Sequence, residues 1–239
     1  MPSIFDNSAI SLLERKSMNP IQQIPLFPLG LVMLPDMILP LHIFEERYKE
    51  MIAECLQSER PFGIVLFDGQ VMHSVGCMAH ILNVSKRYND GRLDILTQGG
   101  KRFVVQQYIE ERTFMEAQVL FFDDRLEEDG SQALSGLIEA TLQLTEEIQD
   151  LQIEEFAKEN DADIDPKKLA FAIAALEGFT PVERQGILEM TSPSERLDKC
   201  IQALSRIADR NRLTREIVKL IGGNGNPPQS ILSALKKKS

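Results

Sequence analysis

The side chains here that could carry chemistry are three histidines (His42, His73, His80), three cysteines (Cys55, Cys77, Cys200) and a surplus of carboxylates. A zinc site needs ligands at short, set spacings such as C-x-x-C or H-E-x-x-H. His42 and Glu45 make only H-x-x-E, and the cysteines are scattered, so no metal set is expected. A nucleophilic serine needs an activating base, and no G-x-S-x-G is present. A phosphate-binding loop reads G-x-x-x-x-G-K-[ST]. Gly99-Gly100-Lys101-Arg102 lacks both the upstream glycine and the following hydroxyl, and reads instead as a hairpin turn. Gly222-Gly223-Asn224-Gly225 has no lysine and reads as a helix stop. Neighbouring carboxylates such as Glu45-Glu46 and Glu110-Glu111 diverge by about 100° on a helix and face opposite sides on a strand, so they read as solvated charge. The residue types therefore predict no catalytic group, no metal and no cofactor.

The chain has 239 residues, is 43% hydrophobic and carries a net charge of −10. Proteins that hold nucleic acid through phosphate contacts are basic, so nucleic acid is not an expected partner. The charge is unevenly spread: net −4 over residues 1–125, −12 over 126–165 and +6 over 166–239. An acidic helix packed beside basic ones would give this pattern, and so would a charged surface for a partner. An odd, dispersed set of cysteines is no disulfide framework, and no secretory signal opens the chain, so a reducing cytoplasm is the expected compartment. Met18 lies just before the first patterned segment, which leaves Met1 and Met18 both open as the start.

Residues 24–48, IPLFPLGLVMLPDMILPLHIFEERY, must position whatever site exists. Proline at 35 and 40 and the charge of Asp36 break the apolar run. No helix can pass through it, and it falls short of the roughly 20 apolar residues of a membrane span. Short buried extended pieces are expected, leading into an amphipathic helix over 45–57 with Phe44, Tyr48, Met51, Ile52, Cys55 and Leu56 on its apolar stripe. Short strands follow at 61–67, 79–86, 93–98, 102–108 and 114–122, of which 79–86 and 93–98 alternate, with turn signals at Asp68-Gly69, Asn89-Asp90-Gly91 and Gly99-Gly100. Many short strands with one helix suggest a closed, barrel-like sheet, because closure removes exposed edges.

From Asp123 to Gly130 the chain is polar and reads as a linker. A helical stripe then runs through Leu134, Leu137, Ile138, Thr141, Leu142, Thr145, Ile148 and Leu151. Asp165-Pro166, Thr180-Pro181-Val182-Glu183 and Ser192-Pro193-Ser194-Glu195 carry N-cap chemistry with proline in the first turn, so three more helices should start there. The last should run over about 193–221 and stop at the glycines, leaving a basic tail.

The motifs Phe27-Pro28-Leu29, Leu34-Pro35, Leu39-Pro40-Leu41-His42-Ile43-Phe44-Glu45 with Arg47-Tyr48, Phe62-Gly63-Ile64-Val65-Leu66, Val75-Gly76, Asp90-Gly91-Arg92, and Gly99 with Arg102-Phe103 resemble, in order and spacing, the N-terminal substrate-binding domain of Lon-type ATP-dependent proteases. QGILEMTSPSERLDK at 185–199 extends the resemblance more thinly to about residue 205. The resemblance is to a free-standing domain of that kind, since the ATPase and Ser–Lys peptidase parts have no counterpart in the sequence. It implies an α+β fold: a PUA-like antiparallel β pseudo-barrel with one packed helix, followed by a C-terminal helical domain. The implied organisation is a flexible extension over 1–20, the barrel domain over 21–125, the helical domain over 126–222 and a flexible basic tail over 223–239. PUA-type barrels can bind RNA, but the acidic balance argues against that here.

The implied function is non-enzymatic: binding unfolded or tagged polypeptides. Candidate contact residues are Met33, Leu34, Pro35, Met37, Ile38 and His42, where methionine and leucine suit adaptable apolar contact. The same residues could instead be plain core. An alternative partner is one folded protein, such as a full-length ATP-dependent protease for which this chain would be an adaptor or regulator, and a homo-oligomer through the helical half is also open. An unrecognised hydrolase would need converging catalytic groups that the sequence does not supply.

Overall fold

The computed structural model describes residues 20–125, 132–148 and 165–222. The expected extension up to residue 19, the segments 126–131 and 149–164, and the tail from 223 lie outside the described residues. Six strands come first: β1 (Gln22–Leu29), β2 (Ile38–Ile43), β3 (Phe62–Phe67), β4 (Met72–Arg87), β5 (Leu93–Ile109) and β6 (Glu116–Phe122), with helix α1 (Glu46–Ser58) between β2 and β3. Then follow α2 (Gln132–Ile148), α3 (Pro166–Ala175), α4 (Pro181–Glu189) and α5 (Pro193–Gly222).

The strand order is β2-β5-β4-β3-β1-β6, with a further β5–β6 pairing. That extra pairing closes β1, β3, β4, β5 and β6 into a ring and leaves β2 as a flap on the first half of β5. All pairings are antiparallel except β1 with β3, which run parallel because the chain passes through β2 and α1 between them. The expected pseudo-barrel is therefore present, with one parallel pair that hairpin signals alone did not indicate.

Alternate residues fill the ring. Ile24, Leu26, Val65, Met78, Phe103, Val105, Ala117 and Val119 form a compact inner cluster. Phe103 is fully buried within it, and room for its ring comes from Gly76, where a Cβ would lie 2.5 Å from the Phe103 Cζ. The opposite faces of the same strands, with Phe27, Ile64, Leu66, Cys77 and Val104, belong to a larger core. That core takes in Tyr48, Met51, Ile52 and Cys55 of α1, and continues without a break into Phe171, Ile187, Leu197, Leu204 and Ile207 of the helices.

Gly99-Gly100 is not a turn: β5 runs straight through it. The loop before β2 crosses here, and a Cβ on Gly99 would sit 1.9 Å from the Leu34 carbonyl oxygen. The Asp36 N–H donates to the Gly99 carbonyl at 3.0 Å and the Gly99 N–H to the Met37 carbonyl at 2.9 Å. The glycines serve a close backbone approach rather than a reversal. Leu34-Pro35-Asp36-Met37 is itself a turn closed by the Met37 N–H on the Leu34 carbonyl at 3.2 Å, with Asp36 at φ 61°.

The three predicted caps are formed. The Asp165 carboxylate accepts from the Lys167 N–H at 2.9 Å. Thr180 and Glu183 make a reciprocal capping box, and the Ser192 hydroxyl accepts from the Glu195 N–H at 3.2 Å. Each such cap contributes about 1 kcal/mol. On α2 the buried Thr141 and Thr145 return their hydroxyls to carbonyls one turn back, at 2.7 Å each.

A buried charge cluster joins the strands to the helices. Arg102 on β5 donates to the Leu188 and Met190 carbonyls at the end of α4, at 3.0 and 2.5 Å. Its other nitrogen meets the Asp124 carboxylate, whose second oxygen accepts from Arg196 of α5 at 2.6 Å. Both guanidiniums also lie against the Phe171 ring, at 5.3 and 4.2 Å. The Arg125 N–H donates to the Thr191 carbonyl at 2.8 Å. Residues 123–125, expected as the start of a linker, are thus tied into the junction.

Candidate functional site

β2 alternates strictly. Leu39, Leu41 and Ile43 are buried, and Ile38, Pro40 and His42 face outward. Beside β2 in the same sheet lie β5 and then β4, with Pro40 opposite Leu96, His42 opposite Asp94, and Asn83 of β4 opposite the same Leu96. The pairing shifts between Ile81 and Asn83. Ile81 turns to the core, and Leu82 is left 48% exposed at this bulge. Ile38 is 49% exposed and Phe44, just past β2, is 60% exposed. The outer face of β2–β5–β4 therefore presents Ile38, Pro40, Phe44 and Leu82 to solvent.

One end of this face is fixed by a polar network. The His42 Nδ1 lies 2.5 Å from one Asp94 oxygen, and the Tyr88 hydroxyl donates to the other at 2.8 Å. The His42 hydrogen bond, then the Tyr88 one, hold the Asp94 carboxyl below its ordinary value. Phe44 stacks on the His42 ring at 6.0 Å, and Tyr88 meets that ring edge-on at 5.7 Å. Lys86 and Arg92 lie over the Tyr88 ring at 4.5 and 4.8 Å. The network orients Phe44 and supplies a cationic rim.

A histidine held by a carboxylate is half of a nucleophile-activating arrangement. Among the described residues, no hydroxyl or thiol is hydrogen-bonded to His42. Burial pushes the Cys55 thiol up to about 11, and those of Cys77 and Cys200 up to about 12, so none is a ready nucleophile. No group of three or more metal-ligating side chains occurs among the described residues.

Both open edges of this three-stranded lobe are blunted. Proline is tolerated only on an edge, where its missing N–H faces away from the neighbour, and Pro40 stands mid-strand on β2. β4 beyond Ala79 pairs with β5 alone, carries two bulges and ends in Lys86-Arg87. Prolines, bulges and lysines are the features that discourage strand addition. Strand addition at these edges is disfavoured, and the face presents side chains to solvent.

The six sequence candidates separate. Met33 and Leu34 are fully buried in the large core beside Val32. Pro35 and Met37 are half-buried in the turn across Gly99. Ile38 and His42 lie on the outer face. Phe44, expected on the buried stripe of α1, is exposed because the helix begins only at Glu46 and Phe44 still follows the strand alternation. Leu82 carries no signal in the sequence because its exposure depends on the bulge, and Pro40 enters the sequence only as a break in the apolar run and a motif residue, not as a contact.

The chain belongs to the ATP-dependent protease La (LON) substrate-binding domain family, whose model matches residues 23–206. It is 26% identical over 210 residues to a Lon protease of Dictyoglomus thermophilum, covering 81% of this chain and 26% of that protein. To a Lon protease of Paraburkholderia phytofirmans it is 27% identical over 199 residues, covering 78% and 24%. The chain thus spans about a quarter of the length of these curated relatives. Two solved structures share the fold. One is a Lon N-terminal domain protein from Xanthomonas campestris, with TM-score 0.56, 23% identity, and 76% of this chain and 98% of that one covered. The other is the N-terminal domain of a Mycobacterium avium complex Lon protease, with TM-score 0.62, 19% identity, and 77% and 98% covered. The match is to the substrate-binding part of these proteases. No helix of the described residues is long and apolar enough to cross a membrane.

Proposed function

We propose that this chain is a non-catalytic polypeptide-binding module that holds apolar segments of unfolded or tagged proteins on the outer face of β2–β5–β4. The observation that carries the reading is the set of large apolar side chains, Ile38, Phe44 and Leu82, left in solvent on a face whose edges resist strand pairing. Side-chain contact without backbone pairing suits clients of varied sequence. The family supports a substrate-recognition role, and the buried free thiols suit a cytoplasmic setting. The test is fluorescence anisotropy with a labelled, permanently unfolded polypeptide. Binding in the micromolar range, lost in an Ile38→Asp/Leu82→Asp variant that melts like the parent, is the expected result. No binding at tens of micromolar, or full binding by the folded variant, would refute it.

A second reading rests on α5. Beyond Ile207 no described residue of this helix is buried, and Leu213, Ile217 and Val218 are exposed beside Arg210, Arg212 and Arg215. Such a surface suits one folded, acidic partner, as an adaptor to an ATP-dependent protease would need, or a second copy of the chain. A single stoichiometric complex that dissociates with rising salt would favour it.

A further inference from the structure

The family role leaves unused a cleft of about 660 Å³ on another part of the barrel, between the start of β1, the end of α1 and the β4 and β5 strands. It shares no lining residue with the apolar face. Its volume falls within the roughly 300–1,000 Å³ of small-ligand sites. The floor is apolar: Ile24 and Met78, which also belong to the inner barrel cluster, and Phe121 packed beside them.

The rim is charged, and its charges are unequally committed. Arg112 grips Glu54 with two nitrogens, one at 2.9 Å, and reaches Glu116 at 4.0 Å. Glu116 also accepts from the Gln23 amide at 3.1 Å. Both carboxylates that line the cleft among the described residues are thereby occupied. Arg60, Lys101 and His80 line the same cleft, and among the described residues none of the three has a carboxylate within 4.0 Å. An apolar floor under two uncommitted cations, Arg60 and Lys101, is complementary to an anion with an apolar body.

We propose that this cleft binds the carboxylate end of an apolar chain, with the chain terminus of a polypeptide as the ligand. The terminal carboxylate meets Arg60 and Lys101, and the last side chains rest on Ile24, Met78 and Phe121. The assignment is independent of the apolar face: one site takes the interior of an unfolded segment and the other takes an end.

The experiment uses the whole chain and an amino-terminally labelled short apolar peptide ending in phenylalanine, as the free acid and as the amide. The free acid binds, and amidation weakens it about tenfold or more, as expected for loss of a charge-assisted contact. Arg60→Gln with Lys101→Gln weakens the free acid by a similar factor at unchanged melting temperature. The Ile38→Asp/Leu82→Asp variant still binds it, which separates this proposal from the reading of the face. Decanoate tests the source of the carboxylate: failure to displace the peptide assigns the site to peptide ends, and displacement at matching concentration widens it to alkyl carboxylates. Equal affinity for acid and amide, unchanged affinity in the folded Arg60→Gln/Lys101→Gln variant, or no binding at millimolar peptide would overturn the proposal.

Discussion

Replacing Asp124 with asparagine keeps the side-chain shape and removes the carboxylate that Arg102 and Arg196 share. The Arg196 side chain is fully enclosed, and that of Arg102 is only 2% exposed. Arg102 would keep the Leu188 and Met190 carbonyls. Arg196 would keep little beyond the Phe171 ring, since its Nε and Nη1 have no hydrogen-bond partner among the described residues. Breaking a buried ion pair by removing one partner costs about 3–5 kcal/mol, a large share of the roughly 5–15 kcal/mol that holds a typical domain. At about 2–4 °C per kcal/mol for a chain of this size, Asp124→Asn should melt at least 6 °C below the parent, read by circular dichroism with urea titration alongside. Because apolar replacement of a whole buried pair is near neutral, Asp124→Leu combined with Arg196→Met should recover part of the loss. If Asp124→Asn costs under about 1 kcal/mol, the cluster is not the junction described here.

Glu59 ends α1 at φ 52°, a conformation that glycine adopts without a Cβ clash. Glu59→Gly should therefore raise stability by about 1 kcal/mol in urea unfolding. Gly76→Ala should destabilise by about 1–3 kcal/mol through overpacking against Phe103; Phe103→Leu in the same chain should recover only part, because the new Cβ also lies 2.4 Å from the Ile64 carbonyl oxygen. Glu54, held down by the Arg112 hydrogen bond, and Asp94, held down by His42, have lowered folded-state values. Their contribution is fully present above the ordinary values of 4.5 and 3.8 and is lost as pH falls through the lowered ones, so the urea midpoint should drop on acidification below about pH 4.

Local chemistry was the legible part of the sequence. The caps at Asp165, Thr180 and Ser192 depend on residues within one turn, and all three formed where the residue types placed them. The α1 stripe of Tyr48, Met51, Ile52 and Cys55 likewise follows from its own spacing. Long-range packing was not legible. Gly99-Gly100 has the composition of a turn, and only the crossing of Leu34–Asp36 shows that close approach is its purpose. Met33 and Leu34 looked as suitable for contact as Ile38 because one-dimensional hydrophobicity cannot tell a loop that plugs the core from a strand face that meets solvent. Leu82 reaches solvent through a register shift set by the partner strand. Arg102 and Arg196 appear in the sequence only as motif residues, and nothing local shows that the fold buries them on either side of Asp124.

The central claim, that apolar clients rest on the outer face of β2–β5–β4, is tested most directly by methyl NMR of the whole chain during titration with an unfolded polypeptide. The account predicts that the Ile38, Leu82 and Leu96 methyls shift progressively while those of Leu34 and Ile52 in the core stay in place. Saturable binding that moves only methyls elsewhere, such as Leu213 and Ile217 on α5, would contradict it.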